Sequence, residues 1–321
     1  RAKAAAEKIS VTGDMKYAKV ENEVGSTEFV GYLVDCAQAK ILAAIEGEGY
    51  TDIVLDRTPF YAECGGQVGD SGYIVNENLK AEVLTTFKVN HLFVHRCQVV
   101  NGEVKVGDYA FAQIDSARRA QIRVHHTSAH LLQAALIKVL GDEVKQAGSQ
   151  VEENRMRFDF TFSRAMTPQE VKKTEDIMNK WIGEKLPVNT DVMGIEEAKL
   201  TGATALFGEK YEDVVRVVSI GGKAKCNCGS DCSCDHESGE EKEVISKEFC
   251  AGTHASNTAD LRLVKIVSEG AIAAGTRRIE AVVADAALGY LNAKSAEIDK
   301  LASRFKVHFD EVEPRIEKIL E

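Results

Sequence analysis

Two pairs of potential metal ligands constrain this chain more than any other feature. His126 and His130 form one pair, and Cys250 and His254 form the other, each with a spacing of four residues. On a helix, residues four apart lie on one face, about one turn from each other. Three histidines and a cysteine make a nitrogen and sulfur donor set that suits Zn2+ better than Mg2+ or Ca2+. Because more than a hundred residues separate the pairs, the fold must bring them together, as either a structural clip or a hydrolytic centre.

The composition is that of a globular protein with room for two domains in 321 residues. A net charge of −10 argues against a general nucleic-acid binder, but Arg118, Arg119 and Arg123 cluster beside the first histidine pair, so a local basic patch stays open. There is no secretory signal and no apolar run long enough to span a membrane. The eight cysteines therefore predict a reducing, cytoplasmic location with no membrane partner.

The pattern of elements predicts an α+β fold in four parts. Residues 1–10 are interpreted as the end of an upstream helical domain, and 11–114 as a small antiparallel β-barrel built from short runs broken by glycines. Residues 115–285 are predicted to form a zinc-containing α+β core with an antiparallel sheet, and 286–321 a helical linker that we expect to be truncated. Inside the barrel region, Cys36–Glu46 is predicted to be a helix.

A long helix should carry the first ligand pair. Asp115 is typical of an N-cap, and the helix is predicted to end near Leu140, before Gly141. One stripe of this helix holds Arg119, Arg123, His126 and His130. His125, the neighbour of His126, falls on an apolar stripe. The helical geometry therefore predicts His126 and His130 as ligands and excludes His125.

A cysteine-rich segment between 221 and 243 has two open interpretations. Its candidate ligands are Cys226, Cys228, Cys232, Cys234 and His236. They would hold a second zinc or another soft metal, although their spacing differs from that of common zinc fingers. The alternative, which we favour, is a disordered acidic insert without a metal.

Five segments, taken in order, resemble the editing region of the alanyl-tRNA synthetase family and its free-standing relatives, the AlaX-type deacylases. These segments are Thr58–Gly72, His126–His130, Gln146–Ser149, Cys250–His254 and Ser268–Ala281. The resemblance implies a Zn2+ held by the two ligand pairs and hydrolysis of the ester in seryl- or glycyl-tRNA(Ala), sparing alanyl-tRNA(Ala). It implies as partners the tRNA(Ala) acceptor end and the rest of a parent alanine–tRNA ligase, a nucleotide-binding enzyme. Nothing in the chain resembles the class II aminoacylation core, so we do not expect it to charge tRNA.

The resemblance also implies roles for single residues. Gln146 and Thr127 would serve catalysis, although the Thr127 hydroxyl has the alternative of bonding the backbone one turn earlier. Gly65, Gly66 and Gln67 would support the substrate pocket, with a hairpin of positive-φ glycines as the structural interpretation. Contacts to acceptor-stem phosphates, or else surface ion pairs, are expected of Arg119, Arg123, Arg277 and Arg278.

Two other function classes stay open. The chain could be a zinc-stabilised tRNA-binding module without chemistry. A zinc peptidase is the weaker alternative, because the HExxH motif needs a glutamate after the first histidine and Thr127 stands there instead.

Overall fold

The structure is a computed structural model that describes residues 12–205, 211–225 and 237–320. The predicted helix end at 1–10 and the candidate second metal ligands (Cys226, Cys228, Cys232, Cys234 and His236) lie outside the described residues. Within them the fold is α+β, with a closed antiparallel barrel, further antiparallel sheets and helices near the C-terminus. This confirms the predicted fold class. No helix of the described part is long and apolar enough to cross a membrane.

The described residues form six α-helices and fifteen strands. The helices of the described residues are α1 (Thr12–Val24), α2 (Ser116–Leu140), α3 (Pro168–Gly183), α4 (Ile195–Leu200), α5 (Ala284–Phe305) and α6 (Val312–Leu320). The strands are β1 (Glu28–Phe29), β2 (Cys36–Glu46), β3 (Thr51–Leu55), β4 (Arg57–Thr58), β5 (Gly72–Asn76), β6 (Leu79–Val89), β7 (Leu92–Gly102), β8 (Tyr109–Ile114), β9 (Gln146–Val151), β10 (Met156–Thr161), β11 (Val188–Gly194), β12 (Val214–Lys225), β13 (Glu237–Phe249), β14 (Val264–Ala273) and β15 (Thr276–Val283).

The barrel closes in the order β2-β3-β7-β6-β5-β8, with every neighbouring pair antiparallel. In β8, Ala110, Ala112 and Ile114 face the interior, and the residues between them face solvent. This alternation is the pattern that a half-buried strand requires. Closure leaves no unpaired strand edge in the barrel.

The predicted helix at Cys36–Glu46 is wrong, because these residues form β2. Its alanines favour a helix when the segment is considered alone. In the fold, however, the segment pairs with both β3 and β8, and Ala39 and Ile41 enter the barrel interior while Lys40 between them is exposed. Tertiary pairing overrides the local preference. The helix α1, which precedes the barrel, was not predicted.

The long helix α2 matches its prediction. The Asp115 side chain accepts a hydrogen bond from the Arg118 backbone N–H, and Gly141 ends the helix with a φ of 105°. The apolar face of α2, including Leu132 and Leu136, packs into the largest hydrophobic cluster. That cluster also takes side chains from α3 and from the sheet ordered β14-β15-β10-β9. The helix therefore presents its histidine face from a rigid support.

Strands β11, β12 and β13 form a separate three-stranded sheet. The β12–β13 hairpin extends into the predicted insert, so that 221–225 and 237–243 are paired strands. The register of this pairing shifts twice, between Ile220 and Gly222 and again before Ala224. Near the C-terminus, α5 ends at a left-handed Lys306 and α6 starts at Val312, so the part predicted to be helical consists of two helices.

A buried ion pair joins α2 to the barrel side of the molecule. Arg119 is fully buried, and its Nε donates to Asp70 Oδ1 at 2.9 Å. Its Nη1 and Nη2 donate to the backbone oxygens of Gly31 and Pro59 at 2.9 and 3.0 Å. Asp70 in turn accepts a hydrogen bond from the Tyr61 backbone N–H at 2.7 Å. Arg119 thus has no exposed surface to offer a phosphate, in contrast to the prediction from sequence.

Replacing Arg119 by methionine should destabilise the chain by about 3–5 kcal/mol, because Asp70 would be left buried without its counter-charge. Chemical denaturation followed by circular dichroism measures this loss. The control is Arg262→Met, since Arg262 pairs with Asp285 on the surface and such pairs contribute about 0–1 kcal/mol. Equal losses in the two variants would contradict the prediction.

Candidate metal centre

The two ligand pairs converge on one point. His126, His130, Cys250 and His254 each offer a ligand atom, and these atoms all lie within 4.8 Å of one another. Cys250 Sγ is 3.4 Å from His126 Nε2 and 3.3 Å from His254 Nε2. His126 and His130 are 6% exposed, so both lie inside the protein rather than on its surface.

The two pairs reach this point by different local structures. His126 and His130 lie one turn apart on α2, as predicted. Cys250 and His254 instead lie in the loop that follows β13, so the helical argument does not apply to them. A Cβ at Gly252 would collide with the His126 ring. Glycine is therefore required where the loop passes over this imidazole.

Each histidine directs its Nδ1 toward an outer partner. His126 Nδ1 lies 2.8 Å from Gln67 Oε1, and His254 Nδ1 lies 3.3 Å from Thr127 Oγ1. His130 Nδ1 lies 2.9 Å from Glu248 Oε2, close enough for an ion pair. Partners of this kind orient metal-binding imidazoles and fix their tautomers. The arrangement leaves Nε2 of each ring for the centre of the cluster.

Gln67 links α2, which carries His126, to the loop that carries Cys250 and His254. Its side chain is completely buried, and its Oε1 accepts a hydrogen bond from the Thr253 backbone N–H at 2.9 Å. Its Nε2 donates to Thr253 Oγ1 at 3.0 Å. Gln67 was predicted to support the substrate pocket, but it lies behind His126 and lines neither of the cavities described below.

The glycines before Gln67 form the predicted hairpin turn. Gly65 and Gly66 have φ values of 59° and 82°, and Cys64 and Gln67 exchange backbone hydrogen bonds across them. Positive φ at both central residues is the geometry that favours glycine in such turns. A Cβ at Gly66 would also collide with Ser149 of β9, so the turn docks closely on that strand.

The charges of the cluster suit a cation. Burial alone would raise the pKa of the Cys250 thiol, but His126 and His254 hold it well below its ordinary value. Burial lowers the pKa of His254 to about 3, so this ring is neutral at pH 7. Although burial opposes it, the Glu248 carboxylate raises the pKa of His130 well above its usual value, so a metal ion would bind this ring in exchange for a proton. A thiolate and neutral imidazoles are the forms that bind metal ions.

These residues fit a tetrahedral Zn2+ by the chemistry of the donor set, one sulfur and three nitrogens. Four protein ligands are typical of structural zinc, whereas catalytic zinc keeps an open position. Here a cavity of about 170 Å3 adjoins three of the four ligands. The other residues that line it include Gln146, Gly65, Glu248 and Gln133. Gln133 was missed from the sequence, although it lies three residues after His130 and hence on the same helix face.

A second cavity of about 370 Å3 lies against His254. Arg123 and Arg216 both line it, and the Arg216 guanidinium lies 3.4 Å from the centre of the Tyr32 ring. Arg216 Nε is buried and has no hydrogen-bond partner among the described residues. Of the two cavities, this one is the more polar, and its two arginines make it the better site for an anionic group.

The remaining predicted residues lie away from the cavities. The Thr127 hydroxyl is buried, donates to Arg123 O at 3.0 Å and accepts from the Ala255 N–H at 3.0 Å, so the backbone-bonding alternative is the one observed. Arg277 and Arg278 form ion pairs with Glu269 and Asp159, each with N···O distances of 2.6 Å, and line neither cavity. His125 bonds Gln121 O through Nδ1 and is no part of the cluster, as predicted.

Comparison with known proteins assigns the class. The family model described as tRNA synthetases class II (A) matches residues 1–118, a match that the sequence analysis did not anticipate; of these residues, 12–118 form α1, the barrel and the start of α2. The model of the threonyl and alanyl tRNA synthetase second additional domain matches residues 215–280, which include Cys250 and His254. The two matches thus assign the chain to the aminoacyl-tRNA synthetases that carry this additional domain.

The relatives narrow the class to one family. Alanine–tRNA ligases of Synechococcus sp. (strain JA-3-3Ab) and Trichormus variabilis are each 41% identical to this chain over 98% of its length. The enzyme of Synechococcus elongatus is 41% identical over 100% of the chain. The chain belongs to the alanyl-tRNA synthetase family. It spans about a third of the length of these curated relatives, 34% to 35%.

Replacing Gln67 by methionine should weaken zinc binding by about 10–100-fold, because His126 would lose the partner that fixes its tautomer. Competition with a chromophoric chelator measures the affinity. The matched control is Gln98→Met, on an exposed position of β7, which should bind zinc as the parent chain does. An unchanged affinity in the Gln67 variant would show that the amide does not support the ligand.

Proposed function

We propose that this chain hydrolyses the ester of mischarged seryl- and glycyl-tRNA(Ala), with Zn2+ bound by the four-residue cluster. The observation that carries the proposal is the convergence of the ligand cluster on a small, accessible cavity that Gln146 also lines. Membership in the alanyl-tRNA synthetase family and the match to the second additional domain support it.

The size of the cavity suits this task. A volume of about 170 Å3 is sufficient for a small aminoacyl group such as glycyl or seryl. In an aminoacylation site for alanine, the binding free energies of glycine and serine differ from that of alanine by only about 1–3 kcal/mol per small group. A second, hydrolytic site is the physical remedy for so small a difference in binding.

The chain's own residues supply positioning. When bound, Zn2+ would polarise the ester carbonyl and lower the pKa of a nearby water. Cys250 as thiolate and the three histidines would hold the ion, and the Gln67, Thr127 and Glu248 side chains would keep the rings in orientation. Gln146, at the start of β9, lines the same cavity and would orient the substrate.

The tRNA would approach through basic residues. Arg123 and Arg216 line the larger cavity beside His254, where both guanidinium groups would meet phosphates of the acceptor end. The ion pairs of Arg277 and Arg278 favour a structural role for those two residues, but the resemblance to the family keeps a phosphate contact as a proposal. Gly65 would support the aminoacyl group, since it lines the smaller cavity whereas Gly66 and Gln67 do not.

One observation favours a second candidate function. The cluster closes around its centre with four protein ligands and an outer partner for each histidine, as structural zinc sites do. A zinc-stabilised tRNA-binding module would bind tRNA(Ala) without turnover. Incubation with seryl- and alanyl-tRNA(Ala), with and without a chelator, separates the two functions. The hydrolase would release serine but not alanine and would stop when the chelator removes zinc, whereas the binding module would cleave neither ester.

The role of the whole protein is inferred from its relatives. We place the chain in a cytoplasmic alanine–tRNA ligase, in which the hydrolytic site would act together with a nucleotide-binding aminoacylation core. The four-part division proposed from sequence, with the editing core at 115–285, is part of this proposal.

Replacing Cys250 by alanine should lower kcat/KM for seryl-tRNA(Ala) by at least about 100-fold, more than loss of an outer partner costs, because a zinc ligand is removed. Rapid quenching and acid precipitation of the aminoacyl-tRNA follow the ester. Exposed Cys36 provides the control, Cys36→Ala. Full activity in a folded, zinc-free Cys250→Ala variant would refute the proposed function.

Replacing Arg123 by methionine should weaken binding of tRNA(Ala) and reduce the slope of log K against log salt by about 1, because one phosphate contact is lost. Filter binding at several salt concentrations measures both quantities. Arg262→Met removes an arginine from a surface pair outside both cavities and should leave the slope unchanged. A slope that is the same for both variants would exclude Arg123 from the tRNA contact.

A further inference from the structure

Gln133 has a buried side-chain amide whose oxygen lacks a hydrogen-bond donor among the described residues. Its side chain is 6% exposed and lines the smaller cavity together with His126, His130 and Cys250. Its Oε1 is buried and has no hydrogen-bond partner among the described residues. Gln133 is one turn beyond His130 on α2, which is held in place by its caps and by the apolar core.

Such a group is costly unless something completes it. A buried acceptor without a donor loses its hydration and gains nothing in return. Buried polar atoms of native proteins are nearly always paired, so an exception in a binding cavity points to a ligand. The two ends of an amide exchange by rotation about one bond, so the oxygen can turn into the cavity.

The chemistry of the proposed substrates identifies the donor. The seryl and glycyl esters share an α-ammonium group, whereas only the seryl ester has a side-chain hydroxyl. The Glu248 carboxylate also lines the cavity, so its wall offers a second acceptor for a cationic group. An ammonium group donates three hydrogen bonds, and hydrogen bonds to charged groups are the stronger ones.

We infer that Gln133 binds the α-ammonium group of the aminoacyl ester through its side-chain oxygen. This inference rests on the proposed function and names a substrate-binding residue for it. The contact sets the direction in which the aminoacyl group enters the cavity, with its ammonium group toward α2. It also makes a free amino group a requirement for good substrates.

The test replaces Gln133 by methionine, which has a similar length and no acceptor oxygen. kcat/KM should fall about 10–100-fold for seryl- and glycyl-tRNA(Ala) alike, as loss of a hydrogen bond to a charged group predicts. N-acetyl-seryl-tRNA(Ala) lacks the ammonium group and should be cleaved equally by the variant and the parent chain. The midpoint of thermal unfolding should stay the same or rise, because an unpaired buried acceptor has been removed. Gln121→Met, on the same helix and outside both cavities, is the control.

Other outcomes overturn the inference. A loss confined to the seryl ester would assign Gln133 to the hydroxyl, and an equal loss with the N-acetyl substrate, or a lower unfolding midpoint, would make its role structural. Unchanged kcat/KM would exclude the contact. Binding of 3′-glycylamino-3′-deoxyadenosine, measured by calorimetry, tests the contact without turnover. If the parent chain binds this amide more tightly than the variant but hydrolyses no ester, the proposed function fails while the ammonium contact stands.

Discussion

The buried amide of Gln67 is the interaction on which the metal centre depends. Its Oε1 faces His126 on α2 and accepts a hydrogen bond from the Thr253 backbone N–H, and its Nε2 donates to the Thr253 hydroxyl. Thr253 lies in the loop that carries Cys250 and His254. Three segments far apart in the sequence therefore meet at one side chain. Because Gly66 docks on β9 at the same place, the turn that carries Gln67 cannot shift without disturbing the sheet beside the cavity. The position of the ligands is thus built into the packing of the barrel against the core.

Local signals made part of this structure predictable from sequence. The N-cap at Asp115, the stop at Gly141 and the stripe that separates His126 from His125 all act within a few residues, and α2 follows them. The same holds for the positive-φ turn at Gly65 and Gly66. The convergence of the four candidate ligands could be expected because sulfur and nitrogen donors in paired spacing have few other uses.

Long-range contacts could not be predicted. The alanine-rich β2 is a strand only because β3 and β8 flank it, and no local signal reports those partners. Arg119 was expected at the surface, in contact with phosphates or in an ion pair, yet Asp70 holds it in the interior. Gln133 carries no motif at all, and only its burial beside the cavity distinguishes it from a solvated glutamine.

The irregular pairing of the β12–β13 hairpin has a consequence for the variability of this chain. Cys250 follows directly from β13, and the two register shifts lie between this residue and the outer ends of the two strands, at Lys225 and Glu237. Bulges of this kind add residues to one strand, increase the local twist and disrupt the ladder only locally. A change in length along the outer strand ends can therefore be taken up at the shifts without altering the registration of Glu248 and Cys250 against β12, so the outer part of this strand pair is free to diverge while the part beside the cluster stays fixed.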